Sequence, residues 1–161
     1  MAIHIRRVVE QDYEVFCALF TEINEQHRLA LPEIFQQPPG SIIEHDYFLS
    51  LLNDERAAIF FAECESQAAG FIQVLIREAP ANPLLVQRRF GVVDTLVVHP
   101  AFRRTGVGRA LMQQAEDWAA SQGVRDVELS VYEFNQGAQA FYNSLGYATF
   151  SRKMGKKLTL E

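Results

Sequence analysis

Val97-Val98-His99-Pro100-Ala101-Phe102-Arg103-Arg104-Thr105-Gly106-Val107-Gly108-Arg109-Ala110-Leu111 is the stretch on which the reading of this chain turns. An apolar β-type run is stopped by His99-Pro100, because proline cannot donate to a ladder, and a glycine turn then opens a helical pattern. Such a turn aims the unpaired N–H groups of a helix start at one point, and the helix dipole adds positive potential there. Both effects favour a bound pyrophosphate. Gly106 and Gly108 let the backbone approach an anion with no Cβ between them, and Arg103, Arg104 and Arg109 stand close by. A P-loop would need a lysine after its last glycine, where Arg109 stands, and a dinucleotide fingerprint would need a third glycine in place of Leu111. An isolated Gly-x-Gly is equally compatible with a plain strand-to-helix connector, so the turn taken alone leaves both readings open.

Working outward, Phe90 to Val98 reads as the strand entering the turn, and Val107, Ala110, Leu111, Ala115, Trp118 and Ala119 mark an amphipathic helix leaving it, closed by Gly123. Upstream, Ile3 to Val9 predicts a first strand. Val15, Phe16, Leu19, Phe20 and Ile23 recur at helical spacing behind Asp12, a candidate N-cap. The proline-bearing segment Arg28 to Gly40 is a loop, and Ser41-Ile42-Ile43-Glu44 has the pattern of a capping box opening a helix to about Leu52. Ala57 to Cys64 and Ala69 to Arg77, separated by Glu-Ser-Gln, predict a hairpin, followed by the loop Ala79 to Arg88. Beyond the turn come a strand from Asp126 to Tyr132, a short helix from Gln136 to Leu145 closed by Gly146, and one or two terminal strands within Tyr147 to Leu158. With no repeats or linkers, this order predicts one α/β domain over residues 1–161, a mixed sheet with helices on both faces.

The bulk numbers agree. A chain of 161 residues at 48% hydrophobic content has the material for one substantial core. A net charge of −5 argues against nucleic-acid binding. The charge is uneven, with ten Asp/Glu and a single basic residue, Arg28, between Glu10 and Glu55. That asymmetry suits a cationic substrate, and it suits ordinary solvated helix faces equally well. Cys17 and Cys64 sit among apolar residues and read as small buried hydrophobes, not as a disulfide or metal pair. With no secretory-type apolar segment and no membrane-length run, a cytoplasmic protein with no membrane partner is expected.

Arg103-x-x-Gly106-x-Gly108, preceded by Leu96-Val97-Val98-His99-Pro100, resembles the Gln/Arg-x-x-Gly-x-Gly/Ala signature of the GNAT acetyltransferases. A second block, from Asn135 through Ala138, Phe141 and Tyr142 to Gly146-Tyr147, is similar to a later block of the same family, in the family's order and spacing. The resemblance covers Phe90 to Leu158, and the N-terminal half agrees only in element order. It implies a mixed, mostly antiparallel sheet of six to seven strands flanked by about four helices, with acetyl-CoA as co-substrate and no metal.

By that resemblance Arg103 flanks the turn, and Arg104, Thr105, Gly106, Val107, Gly108 and Arg109 offer backbone N–H groups to the coenzyme pyrophosphate. Leu96, Val97 and Val98 hold the pantetheine arm and acetyl carbonyl along a bulged, splayed strand, with the Val98 N–H on the oxyanion. Asn135, Ala138, Phe141 and Tyr142 attend the coenzyme arm; Asn135 is also a natural N-cap, and Phe141 reads more simply as a core aromatic. Tyr142 matches the general acid that protonates the departing thiolate, which a phenol with a free pKa near 10 can do. Asp94 matches a position where many members carry a Glu base. Its shorter side chain suits a water-relayed base, with a merely hydrogen-bonded strand residue as the alternative. His99 reads as a solvent-facing loop residue, and His27 and His45 receive no catalytic role. The implied reaction is direct attack by a primary amine through a tetrahedral intermediate. The acidic stretch favours a small cationic acceptor. A protein or peptide amine is the alternative within enzymes. A silent coenzyme-binding module is the rival outside them, against which the presence of Tyr142 speaks. Relatives that pair through sheet edges imply a homodimer.

Overall fold

The computed structural model describes residues 1–160 and resolves into two compact units, Met1–Ser130 and Val131–Glu161. The first contains β1 (Ile3–Arg7), α1 (Tyr13–Ala30), α2 (His45–Leu52), β2 (Ala57–Cys64), β3 (Gln67–Glu78), β4 (Arg89–Val98), α3 (Val107–Ser121) and β5 (Val127–Leu129). The strands form one sheet in the order β1-β2-β3-β4-β5. The first four are antiparallel, and β5 lies parallel to β4, as a strand reached through a crossover helix must. The β2–β3 turn is made by Glu65 and Ser66, both with positive φ.

Register sorts the side chains into two faces, because residues opposite one another in an antiparallel pair share a face and neighbours along a strand alternate. Phe61, Phe71 and Val97 stand abreast on one face and pack with Phe16, Leu19, Phe48 and Leu51 from α1 and α2. Phe16 meets Phe71 at a centroid distance of 4.6 Å. The opposite face belongs to α3, whose Leu111, Met112, Ala115 and Ala119 are buried, and the Arg7 guanidinium lies over the rings of Phe60 and Trp118. Covered on both sides, β2 is buried at nearly every position and shows no alternation.

Three local expectations are corrected. Asp12 precedes α1 but its side chain does not cap it; the carboxylate accepts from Arg6 at 2.7 and 2.9 Å and from the Val9 N–H at 2.8 Å. The Ser41–Glu44 capping box does not form. The Tyr13 hydroxyl donates to the Ile43 carbonyl, the chain bends at Ile42 and Ile43, Glu44 is extended, and α2 starts only at His45. The sheet has five strands among the described residues, not six to seven. The strand expected over Asp126 to Tyr132 is confined to Val127–Leu129, and residues 147–160 form no strand. Phe150, Met154, Leu158 and Leu160 are between 71% and 90% exposed, and an alternating pattern gains little from strand geometry where no partner covers its apolar side.

In the second unit, α4 (Gln136–Ser144) is capped by Asn135, whose Oδ1 accepts from the Ala138 N–H at 3.0 Å. It ends in a Schellman turn: Gly146 has φ +95°, its N–H donates to the Asn143 carbonyl, and the Tyr147 N–H donates to the Tyr142 carbonyl. No helix among the described residues is long and apolar enough to cross a membrane.

Candidate active site

The site begins at a fault in β4. Gln73 pairs with Thr95, but the next residue, Val74, pairs with Val93, so Asp94 is an extra residue with no partner on β3. That is the bulge implied by the family resemblance. It also ends the other ladder: β4 pairs with β5 only over Gly91 to Val93, and beyond the bulge β4 has no strand neighbour on that side among the described residues. This is why β5 stops at Leu129 although its sequence continues in β style.

The exposed edge carries a defined set of main-chain groups. The His99 N–H donates to the Ala69 carbonyl on β3 at 2.8 Å, so by alternation the Val97 amide also faces β3. Leu96 and Val98 therefore direct their amides to the open edge, whereas Val97 presents its side chain to the core and its peptide to the ladder. Arg103 folds back along this edge, its Nε donating to the Val98 carbonyl at 3.4 Å.

Pro100–Phe102 form a 3-10 turn, fastened by the His99 ring, whose Nδ1 accepts from the Ala101 N–H at 3.1 Å. His99 is a half-exposed loop residue, as expected, and its ring also fastens the turn. Thr105 donates its hydroxyl to the Phe102 carbonyl. Arg104 (φ +62°) and Gly106 (φ +92°) are left-handed, curling the chain so that α3 starts at Val107. The first intrahelical bond is Ala110 N–H to Gly106 carbonyl, which leaves the amides of Val107, Gly108 and Arg109 without helical acceptors. Arg103, Arg104 and Arg109 are exposed and, among the described residues, have no carboxylate partner. Uncompensated guanidinium charge beside free amides is what a pyrophosphate requires, and the unpaired edge of β4 can bond an amide-bearing arm, so these residues fit a coenzyme A ester.

Asp94 lies on the α1 face, 4.0 Å from Arg77, with its side chain 43% exposed. It is open to water, which suits a relayed base better than a buried direct one. Asn135, Ala138, Phe141 and Tyr142 belong to the second unit. There Phe141 and Tyr142 are half-buried with their rings 5.3 Å apart, and Tyr142 meets Tyr147 edge-on at 6.1 Å. Burial pushes the Tyr142 phenol up to about 12. It remains a protonated donor throughout the neutral range.

The model of the acetyltransferase (GNAT) family matches residues 18–147. The chain belongs to the GNAT family. A GNAT relative from Sulfurisphaera tokodaii, an N-alpha-acetyltransferase, is 30% identical over 145 residues, covering 85% of this chain and 81% of its own. An uncharacterised N-acetyltransferase of Methanocaldococcus jannaschii is 31% identical over 101 residues, 63% of this chain, and the chain spans only 43% of that relative's length. Among solved structures, a mutant of the BH1408 protein from Bacillus halodurans superposes with a TM-score of 0.91 at 26% identity, covering 97% of this chain and 99% of that one.

Two features of this GNAT site escape sequence reasoning. One is the Arg103 side chain on the Val98 carbonyl. The other is Gly70, opposite Val98, where an added Cβ would lie 2.3 Å from the Val97 carbonyl oxygen. A glycine inside an apolar strand is the signal that could have found the second.

Proposed function

We propose that this GNAT protein moves the acetyl group of acetyl-CoA to a primary amine by direct attack, with residues 1–161 working as one catalytic domain. The observation that carries the proposal is the continuity of two features: the open β4 edge at Leu96 and Val98 runs straight into an amide-lined turn with three arginines that have no carboxylate partner among the described residues. In this reading the turn from Arg104 to Arg109 holds the pyrophosphate, Leu96 and Val98 hold the pantetheine arm, and the Val98 N–H faces the oxyanion of the tetrahedral intermediate. The amine nitrogen forms the C–N bond as the carbonyl π pair moves onto oxygen, its proton leaves through water to Asp94, and collapse of the intermediate then breaks the C–S bond. Tyr142 gives a proton to the departing sulfur. Asn135 fixes the start of α4 and so the placement of that tyrosine.

A small cationic acceptor is supported by the acidic stretch from Glu10 to Glu55, although Asp12 and Glu25 within it are already paired to Arg6 and Arg28. A peptide α-amine is the second reading, favoured by the relative from Sulfurisphaera tokodaii, which matches over most of both chains. A cytoplasmic homodimer completes the proposal, supported by the exposed apolar residues of the C-terminal segment. Thiol release from acetyl-CoA, followed with spermidine, an aminoglycoside, lysine and short peptides with free α-amines, tests it. Release above the hydrolysis rate with one class identifies the acceptor, and no release with any of them refutes the transferase reading in favour of a binding module. Light scattering checks the dimer.

A further inference from the structure

The α1 face of the sheet carries one buried polar side chain that the proposed mechanism does not use. Gln73 is 3% exposed, the one buried polar residue among the described core positions. Register places it between Ile59 on β2 and Thr95 on β4, with Phe71 two residues before it. Its carboxamide makes no hydrogen bond to any described residue, yet among the described residues no fully enclosed side-chain nitrogen or oxygen lacks a partner. Both statements hold only if the amide end, unlike the rest of the side chain, touches open space. The surroundings agree. Phe71 and Val97, on the near side, are sealed under α1, whereas Asp94 and Arg77, on the far side, are exposed. Gln73 thus stands where the covered part of this face ends, directly beside the bulge and one strand from the candidate base.

The aliphatic part of Gln73 is held in the core while its amide end reaches the opening without a partner among the described residues, so its hydrogen-bonding groups are left for water or a ligand there. We propose that Gln73 positions the acceptor and sets its class: its Oε1 accepts one N–H of the incoming neutral amine, while the water serving Asp94 accepts the other. The proposal rests on the transferase reading above. A neutral primary amine has two N–H groups and a lone pair, so both acceptors can be satisfied with the lone pair left for the acetyl carbon. A secondary amine has a single N–H and satisfies only one of them. Gln73 therefore discriminates primary from secondary amines through a hydrogen bond on the attacking nitrogen itself, independently of what lies further along the acceptor.

The test uses the whole chain with acetyl-CoA and a matched pair of probes, n-butylamine and N-methylbutylamine, following thiol release. Gln73→Met, close in volume and lacking the acceptor oxygen, is expected to lower kcat/KM for n-butylamine by about tenfold, the loss of one hydrogen bond, with the KM for acetyl-CoA unchanged. The primary-to-secondary preference collapses with it. Gln73→Glu, which keeps an oxygen at the same reach, retains the preference. A purely structural glutamine would slow both amines together, so an unchanged ratio in a folded Gln73→Met protein overturns the inference. A wild-type protein that releases no thiol with any amine overturns the transferase reading instead, which keeps the two failures distinct.

Discussion

Replacing Gly70 by alanine tests the geometry on which the open β4 edge depends. The new Cβ would sit 2.3 Å from the Val97 carbonyl oxygen and 3.2 Å from the Val98 Cα, both backbone atoms that no rotamer change can move aside. Relief requires β3 and β4 to part by about 1 Å, and overpacking of this kind costs about 1–3 kcal/mol. Gly70 lies outside the left-handed region, so no dihedral strain adds to that figure. The alanine also restricts the unfolded chain, which returns about 0.4–1 kcal/mol. The net loss of about 0–2.6 kcal/mol, centred on about 1 kcal/mol, corresponds to a melting temperature lower by up to about 10 °C for a chain of this size. Because Val98 is the residue displaced, the KM for acetyl-CoA should rise as well. Thermal unfolding with and without coenzyme A measures both effects. Gly137→Ala is the control: it lies inside α4 with nothing within 4 Å of its prospective Cβ, and should stabilise by about 0.5–1 kcal/mol. A Gly70→Ala protein as stable as wild type, with unchanged KM, would refute the close approach.

Tyr142→Phe should lower turnover by about 10² to 10⁴ while sparing acetyl-CoA affinity, and single-turnover kinetics beside calorimetry separate the two. The same phenol has a folded pKa of about 12 against 10 unfolded, so its contribution to stability is complete below pH 10 and is lost as the pH climbs towards 12. Urea unfolding at pH 9 and pH 11 should therefore show a steeper alkaline loss in wild type than in Tyr142→Phe. Gly108→Val, at the second position of α3, should weaken coenzyme A binding in a folded protein, and unchanged affinity by calorimetry would put the pyrophosphate elsewhere. Asn135→Ala removes the bond to the Ala138 N–H and should cost about 1 kcal/mol, read as a lower melting temperature; no change would mean the cap is not made in solution.

Much of this protein is written in local signals. The proline after His99, the glycine at the left-handed start of α3, the Asn135 cap and the glycine closing α4 each act over a few residues, and each stands where the sequence predicts. The glycine turn and the order of elements were legible for that reason. The caps failed where contacts beyond the helix start intervene: Arg6 on β1 takes the Asp12 carboxylate, and Tyr13 bonds the Ile43 carbonyl across thirty positions of chain. The bulge at Asp94 belongs to the same class. Side chains alternate with a period of two on either side of it, and nothing in Val93-Asp94-Thr95 itself says which residue will lack a partner. Only the pairing of β4 with both neighbours decides that, and with it where β5 ends, which amides face outward, and that Gln73 comes to lie beside the opening. The elements and the turn follow from short-range chemistry, whereas the open edge follows from register, which is a property of strands brought together and of no single segment.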